Sequence, residues 1–216
     1  MRSFILTLLI MLVNISSMTL KEAFDRSGPG EGYDKLVVLE KGKLYTGGLF
    51  LGYFNNPFTF NDDYVNEINV RIKGNGAIID LKNGQIQFGN TPNILDIDSC
   101  VIINGTLRYC GSPDGMGGYY IPYGSVRNIT FYNSIDYGVR MDGAGKDMFL
   151  NNNLVVNCIS TDIDFPFNNS IPSYYLRTGT SYAFSPFEWY GYPLLQDNWS
   201  YNERYEDEPL VHFSML

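Results

Sequence analysis

Histidine is almost absent from this chain of 216 residues, which holds one, His212. A histidine-based metal cluster is therefore excluded, and a Ser-His-Asp or Cys-His arrangement would have to be built at the very end of the sequence. Cysteine is scarce too: Cys100, Cys110 and Cys158. No Cys-x-x-Cys spacing occurs that would suggest zinc. The odd count leaves two readings, a Cys100–Cys110 bridge in an oxidising compartment with Cys158 single, or three small buried apolar residues. Positive charge is short, with 15 Lys and Arg against 23 Asp and Glu and a net charge of -8. That argues against nucleic acid as a partner, because phosphate binding needs clustered cations. It also means that an anionic polysaccharide is repelled unless a cation intervenes. Long amphipathic helical patterns are nearly missing, whereas 22 glycines and many asparagines are present, which favours an all-β chain.

Long apolar runs are limited to one, at the start. Arg2 is followed by a ten-residue apolar stretch from Phe4 to Val13 and then by Ser16 and Ser17. A basic residue, a short apolar run and small residues have the form of a secretory signal. The run is too short to span a bilayer comfortably, and no second one follows. The expectation is a signal peptide over residues 1–18 and a chain that is secreted, periplasmic or held at the cell surface, not embedded in a membrane. The remainder is long enough for one folded body with a real core, expected to be a monomer.

What is there is a pattern of apolar and non-apolar alternation that ends in a bend. It occurs as Val70-x-Ile72-x-Gly74, Val101-x-Ile103-x-Gly105-x-Leu107, Ile129-x-Phe131-x-Asn133-x-Ile135 and Met148-x-Leu150-x-Asn152-x-Leu154. Alternation marks a half-buried strand, and Gly or Asn tolerates the left-handed backbone of a sharp bend. Repeated at loose intervals of 31, 28 and 19 residues (70 to 101, 101 to 129, 129 to 148), such a unit reads as one turn of a solenoid. Asn133 and Asn152 fall at the same position of this pattern, which predicts an asparagine stack bonded to neighbouring backbone. Ahead of it, Thr19-Leu20-Lys21-Glu22 fits a capping box that opens a short helix to Phe24. Strands are expected at Lys35–Leu39 and Leu44–Gly48. Two segments are expected to project as loops, residues 83–93 and 111–124. Residues 166–216 carry 13 of the 33 aromatic residues and no repeat of the pattern, and are expected to form an irregular cover over the solenoid.

The order Leu20-x-x-Ala23-Phe24, Gly28-Pro29-Gly30, Leu36-Val37-Val38-Leu39 and Lys41-Gly42-Lys43-Leu44-Tyr45 resembles the opening of secreted proteins of the pectin-lyase-like superfamily, of the chondroitinase-B and alginate-lyase type. The stretch Glu67 to Gly76 is similar to a turn of the same fold. The resemblance spans roughly residues 19–165 and implies an all-β chain, a right-handed parallel β-helix with an N-terminal helical cap. It also implies polysaccharide as the partner, either as the substrate of a cation-assisted lyase of acidic glycans or as the ligand of a non-catalytic carbohydrate-binding or cell-surface protein. A truncated fragment without activity is the third reading.

Candidate site residues follow from spacing. Residues i and i+2 of a strand share a face, so Asp96-x-Asp98, Asp162-x-Asp164 and Arg140-x-Asp142 turn their ionisable groups one way and Ile97, Ile163 and Met141 the other. Gathered on one face, Asp96, Asp98, Asp142, Asp162 and Asp164 would offer hard oxygen ligands to Ca2+. Arg140 or Lys146 would then serve as the base that removes the proton beside a substrate carboxylate. Tyr119, Tyr120, Tyr123, Trp189 and Tyr190 offer flat faces on which sugar rings stack. Four glycosylation sequons begin at Asn104, Asn128, Asn168 and Asn198, and chance in an Asn-rich chain accounts for them.

Overall fold

The computed structural model describes residues 18–52, 68–89, 91–113, 119–134, 138–142, 148–160, 180–182, 194–197, 199–201 and 204–205. Thr19 caps the helix Leu20–Arg26 with both bonds of the capping box: its Oγ accepts from the Glu22 N–H at 3.0 Å, and the Glu22 carboxylate accepts from the Thr19 N–H at 2.8 Å. Seven residues are too few to hold a helix alone. Leu20 and Phe24, four apart and on one face, are both buried in the core, and that burial stabilises it. The helix stops where Ser27 bonds back to the Phe24 carbonyl, before Gly28 and Pro29. Lys35 donates to the carbonyls of Phe24 and Ser27 at 3.3 and 2.8 Å, which places a cation at the helix C-terminus, where it is favoured.

Beyond the helix the described chain is mostly strand, almost all of it parallel. A twelve-stranded sheet has two flanks. The first flank aligns Tyr33–Val38, the start of Val70–Asp80, the start of Ile94–Ile103, Tyr123–Arg127, Met148–Asn151 and Leu194–Gln196. The second flank aligns Leu44–Thr46, the ends of the same two long strands, Thr130–Tyr132, Leu154–Val156 and Trp199–Tyr201. A five-stranded parallel sheet is formed by Leu49–Gly52, Gln85–Gly89, Thr106–Cys110, Val139–Asp142 and Thr180–Tyr182. Each neighbour in a sheet comes from the next pass of the chain. The core is the set of inward rows. Val37, Ile72, Ile97, Val126 and Leu150 line the first flank; Tyr45, Ile79, Ile102, Phe131 and Val155 the second; Leu51, Phe88, Tyr109 and Met141 the five-stranded sheet. A fully buried side chain of this size contributes roughly 1.5–3 kcal/mol.

The register corrects the repeat expected from the sequence. First-flank partners are 25, 29 and 24 residues apart (Val70, Leu95, Gly124, Met148), and second-flank partners 23, 29 and 24 (Ile78, Val101, Thr130, Leu154). The expected copies at Val70 and Met148 lie on the first flank, those at Val101 and Ile129 on the second, so the intervals of 31 and 19 run between different flanks. In the second copy the phase is also reversed. Ile102 is fully buried, while Val101 and Ile103 face outward and are half-buried. Leu154, expected inward, is exposed, and Val155 takes the core position.

The bends form two stacks instead of one. Asn104 donates to Asp80 at 3.0 Å, Asn133 to Asn104 at 3.0 Å and Asn157 to Asn133 at 2.9 Å. At the other corner Asn152 donates to Asn128 at 2.8 Å. All five asparagines have positive φ, between 52° and 57°. The bonds run from side chain to side chain, and Asn133 and Asn152 belong to different stacks. Of the two sequon asparagines among these bends, Asn104 donates through its amide nitrogen and Asn128 accepts through its amide oxygen.

Three other expectations change. Part of the first expected loop is the strand Gln85–Gly89. In the second, Ser112–Pro113 pairs antiparallel with Tyr119–Tyr120, and Tyr123 opens a first-flank strand. The aromatic C-terminal stretch supplies Thr180–Tyr182, Leu194–Gln196 and Trp199–Tyr201 as further parallel strands, where a patternless cover was expected. The three cysteines are buried and form no disulfide with one another, and burial, aided by Asp98, pushes the Cys100 thiol far above its ordinary range. Among the described residues no helix is long and apolar enough to cross a membrane.

Candidate functional site

Alternation turns every second residue of the first flank outward, and parallel register stacks those residues into rows. One row reads Leu36, Arg71, Asp96, Ser125, Phe149; the next reads Val38, Lys73, Asp98, Arg127, Asn151. Both carry charge, and the first adds a hydroxyl and a ring, directly above inward rows of Ile, Val and Leu. Neighbouring strands stand about 4.8 Å apart, so the charged groups of adjacent strands meet.

The contacts tie these rows together. Tyr33, at the head of its strand, reaches past Arg71 and donates its hydroxyl to Asp96 Oδ2, with the Arg71 guanidinium 5.9 Å from the ring centroid. Ser125 donates to the other oxygen, Asp96 Oδ1, at 2.6 Å. Arg71 Nη2 donates to Asp98 Oδ2 at 3.1 Å, and Nη1 lies 3.9 Å from Glu31. Lys73 donates to Glu31. Arg127 lies over the Phe149 ring at 5.0 Å. Burial, and then the bond to Asp96, raise the Tyr33 phenol above its ordinary value, so it stays a hydrogen-bond donor at neutral pH. The Lys73 bond holds the Glu31 carboxyl below its ordinary range. The result is a polar face with rings at Tyr33, Tyr123 and Phe149, able to bond hydroxyl groups and stack apolar ones.

Of the expected site residues, Asp96, Asp98 and Tyr123 stand on this face, with Ile97 buried beneath as alternation requires. Arg140 and Asp142 belong to the strand Val139–Asp142 of the five-stranded sheet, where Arg140 is in register with Arg108. They are therefore not row neighbours of Asp96 and Asp98. Tyr119 and Tyr120 form the short antiparallel pair. Lys146, Asp162, Asp164, Trp189 and Tyr190 lie outside the described residues. Spacing alone passed over Arg71-x-Lys73 and Ser125-x-Arg127, although each shows the same i, i+2 signal around a buried Ile72 or Val126. Tyr33 and Glu31 carried no such signal, since their partners lie 63 and 42 residues away.

Calcium takes six to eight oxygen ligands. Both oxygens of Asp96 are bonded, one to Tyr33 and one to Ser125, and Asp98 is paired with Arg71. Among the described residues no group of three or more His, Cys, Asp or Glu side chains is placed to hold a metal ion.

No family model, curated protein or solved structure matches this chain.

Proposed function

We propose that the chain is a right-handed parallel β-helix that binds polysaccharide along the outward face of its first flank. The observation that carries this reading is the pair of outward rows from Arg71 and Lys73 to Phe149 and Asn151, bordered by Tyr33 and Tyr123. Hydroxyl, carboxylate, guanidinium and ring groups recur there at the spacing of adjacent strands, on a surface running across several strands, and an extended sugar chain presents hydroxyls and flat ring faces in a similar succession. Support for the coiled architecture comes from the return of the chain to each flank after 23 to 29 residues and from the two asparagine stacks at the corners.

Binding is favoured over β-elimination. A lyase needs a base beside a neutralised substrate carboxylate; of the two bases expected, Arg140 stands on the other sheet from Asp96 and Asp98, and Lys146 lies outside the described residues. Export, which the N-terminal apolar run suggests, would bring the protein to extracellular glycans.

The test is retention on a panel of immobilised neutral and acidic polysaccharides, with Arg127→Ala, Tyr123→Ala and Phe149→Ala compared with the parent protein. Selective retention that these variants weaken is expected. Equal retention by all four proteins, or none by any, overturns the proposal. Rising ultraviolet absorbance on an acidic glycan would restore the lyase reading.

A further inference from the structure

The strand Gly28–Gly30 turns into Tyr33–Val38 through two residues, Glu31 and Gly32, with Gly30 paired to Tyr33. Both turn residues have positive φ, 52° for Glu31 and 85° for Gly32. A two-residue turn of this kind prefers Asn or Asp before Gly, because a short polar side chain eases the left-handed backbone. Glutamate is a poor choice for the backbone. Its longer side chain does what Asn could not: it carries a carboxylate onto the outward face and sets it between Lys73 and Arg71.

That cation pair is built into the sheet. Arg71 and Lys73 flank buried Ile72, and their side chains are 32% and 28% exposed, against 45% for Glu31. Asp98 engages Arg71 from the next strand. The Arg71 Nε–H is buried and has no acceptor among the described residues. A guanidinium that spends one edge on Asp98 keeps donors for a second anion, and the one nearby is mounted on an exposed turn.

We propose that Arg71 and Lys73 form an anion-binding pair for which Glu31 is the resident counterion, displaced when the carboxylate or sulfate of an acidic glycan binds. This rests on the polysaccharide reading and narrows it to anionic sugars. It also bears on the repulsion expected from the net charge of -8: the incoming carboxylate takes the place of Glu31 against the two cations, and the released Glu31 carboxylate turns to solvent on its exposed turn. Glu31 thus sets a threshold, so that weakly charged or isolated anions lose the competition and a polyanion, rebinding at neighbouring residues, wins it.

The deciding variant is Glu31→Asn. Asn suits the left-handed turn, so the fold is retained, which circular dichroism and a thermal melt check, while the competing carboxylate is gone. Two probes are titrated by nuclear magnetic resonance, reading the Arg71 Nε–H: inorganic sulfate, and oligosaccharides of galacturonate beside neutral oligosaccharides of equal length. The expected result is about tenfold tighter binding of sulfate and oligogalacturonate by Glu31→Asn, abolished by adding Lys73→Ala. Unchanged or weaker anion binding in Glu31→Asn overturns the proposal, and if neutral sugars still bind, the polysaccharide reading survives it. Sulfate binding that tightens while no sugar binds supports the displaceable counterion and overturns the polysaccharide reading.

Discussion

The side-chain amide of Asn133 donates to Asn104 Oδ1 at 3.0 Å and its own oxygen accepts from Asn157 at 2.9 Å. Asn133 is the middle of a ladder that joins three passes of the chain at one corner, and its φ of 57° is one that glycine adopts without strain. Replacing it by glycine keeps the bend and removes the ladder. Asn133→Gly is expected to lower stability by roughly 1–3 kcal/mol, the cost of stranding buried or half-buried partners. A urea midpoint equal to that of the parent protein would show that the bend alone matters.

Gly124 sits on the first flank with φ of 142°, and a Cβ there would come within 2.0 Å of the Leu95 carbonyl oxygen. Backbone, unlike a side-chain tip, cannot swing away. Gly124→Ala should destabilise by about 1–3 kcal/mol or more through overpacking. Gly28→Ala, where nothing lies within 4 Å, should stay within about 0.5 kcal/mol. Paired denaturation curves for the two variants make the comparison, and similar losses would contradict the packing account.

Tyr33 links stability to alkaline pH. Burial and its bond to Asp96 raise its folded pKa above the ordinary value, so the unfolded chain releases the proton first. The contribution is fully present below about pH 10 and is lost as pH rises through the folded value. The urea midpoint of the parent protein should fall more steeply than that of Tyr33→Phe in this window. Parallel curves would mean that Tyr33 titrates as a free phenol.

Asp80 gives the acid counterpart. Burial raises its pKa, yet the bonds from Lys82 and Asn104 together outweigh burial and hold it below the ordinary range. The distances are 2.6 Å to Lys82 Nζ and 3.0 Å to Asn104 Nδ2. A lowered folded pKa contributes stability present above about pH 4 and lost as pH falls through the folded value. The stability difference between the parent protein and Asp80→Asn should therefore shrink on acidification. A difference that stays constant from neutral to acidic pH would argue against it.

Much of the architecture is legible in the residues. The capping box at Thr19 and Glu22, the bends at Asn133 and Asn152, and the inward placement of Val70, Ile72, Ile97 and Met141 follow from local rules. The phase of Val101-Ile102-Ile103 does not, because three consecutive apolar residues fit either face. Nor does the strand Gln85–Gly89, which reads Gln-Ile-Gln-Phe-Gly between turn residues and is held by pairing with Thr106–Cys110. On the candidate face, Asp96 and Asp98 stand out by spacing. Their partners Tyr33, Ser125 and Arg71 do not, since an ion pair or hydrogen bond across strands leaves no mark within either strand.

By itself the sequence determined that this chain makes short strands with one buried side, where it bends, and where its helix begins, because those outcomes depend on residues within a few positions of one another. Only the tertiary structure decided which strands lie side by side, and so which ionisable groups share the outward face. Register is set by contacts between residues some 23 to 29 positions apart, and a slip of one residue exchanges core for surface. That is why Asp96 meets Ser125 and Tyr33, why Arg140 belongs to another sheet, and why the carboxylate of Glu31 comes to rest on Lys73.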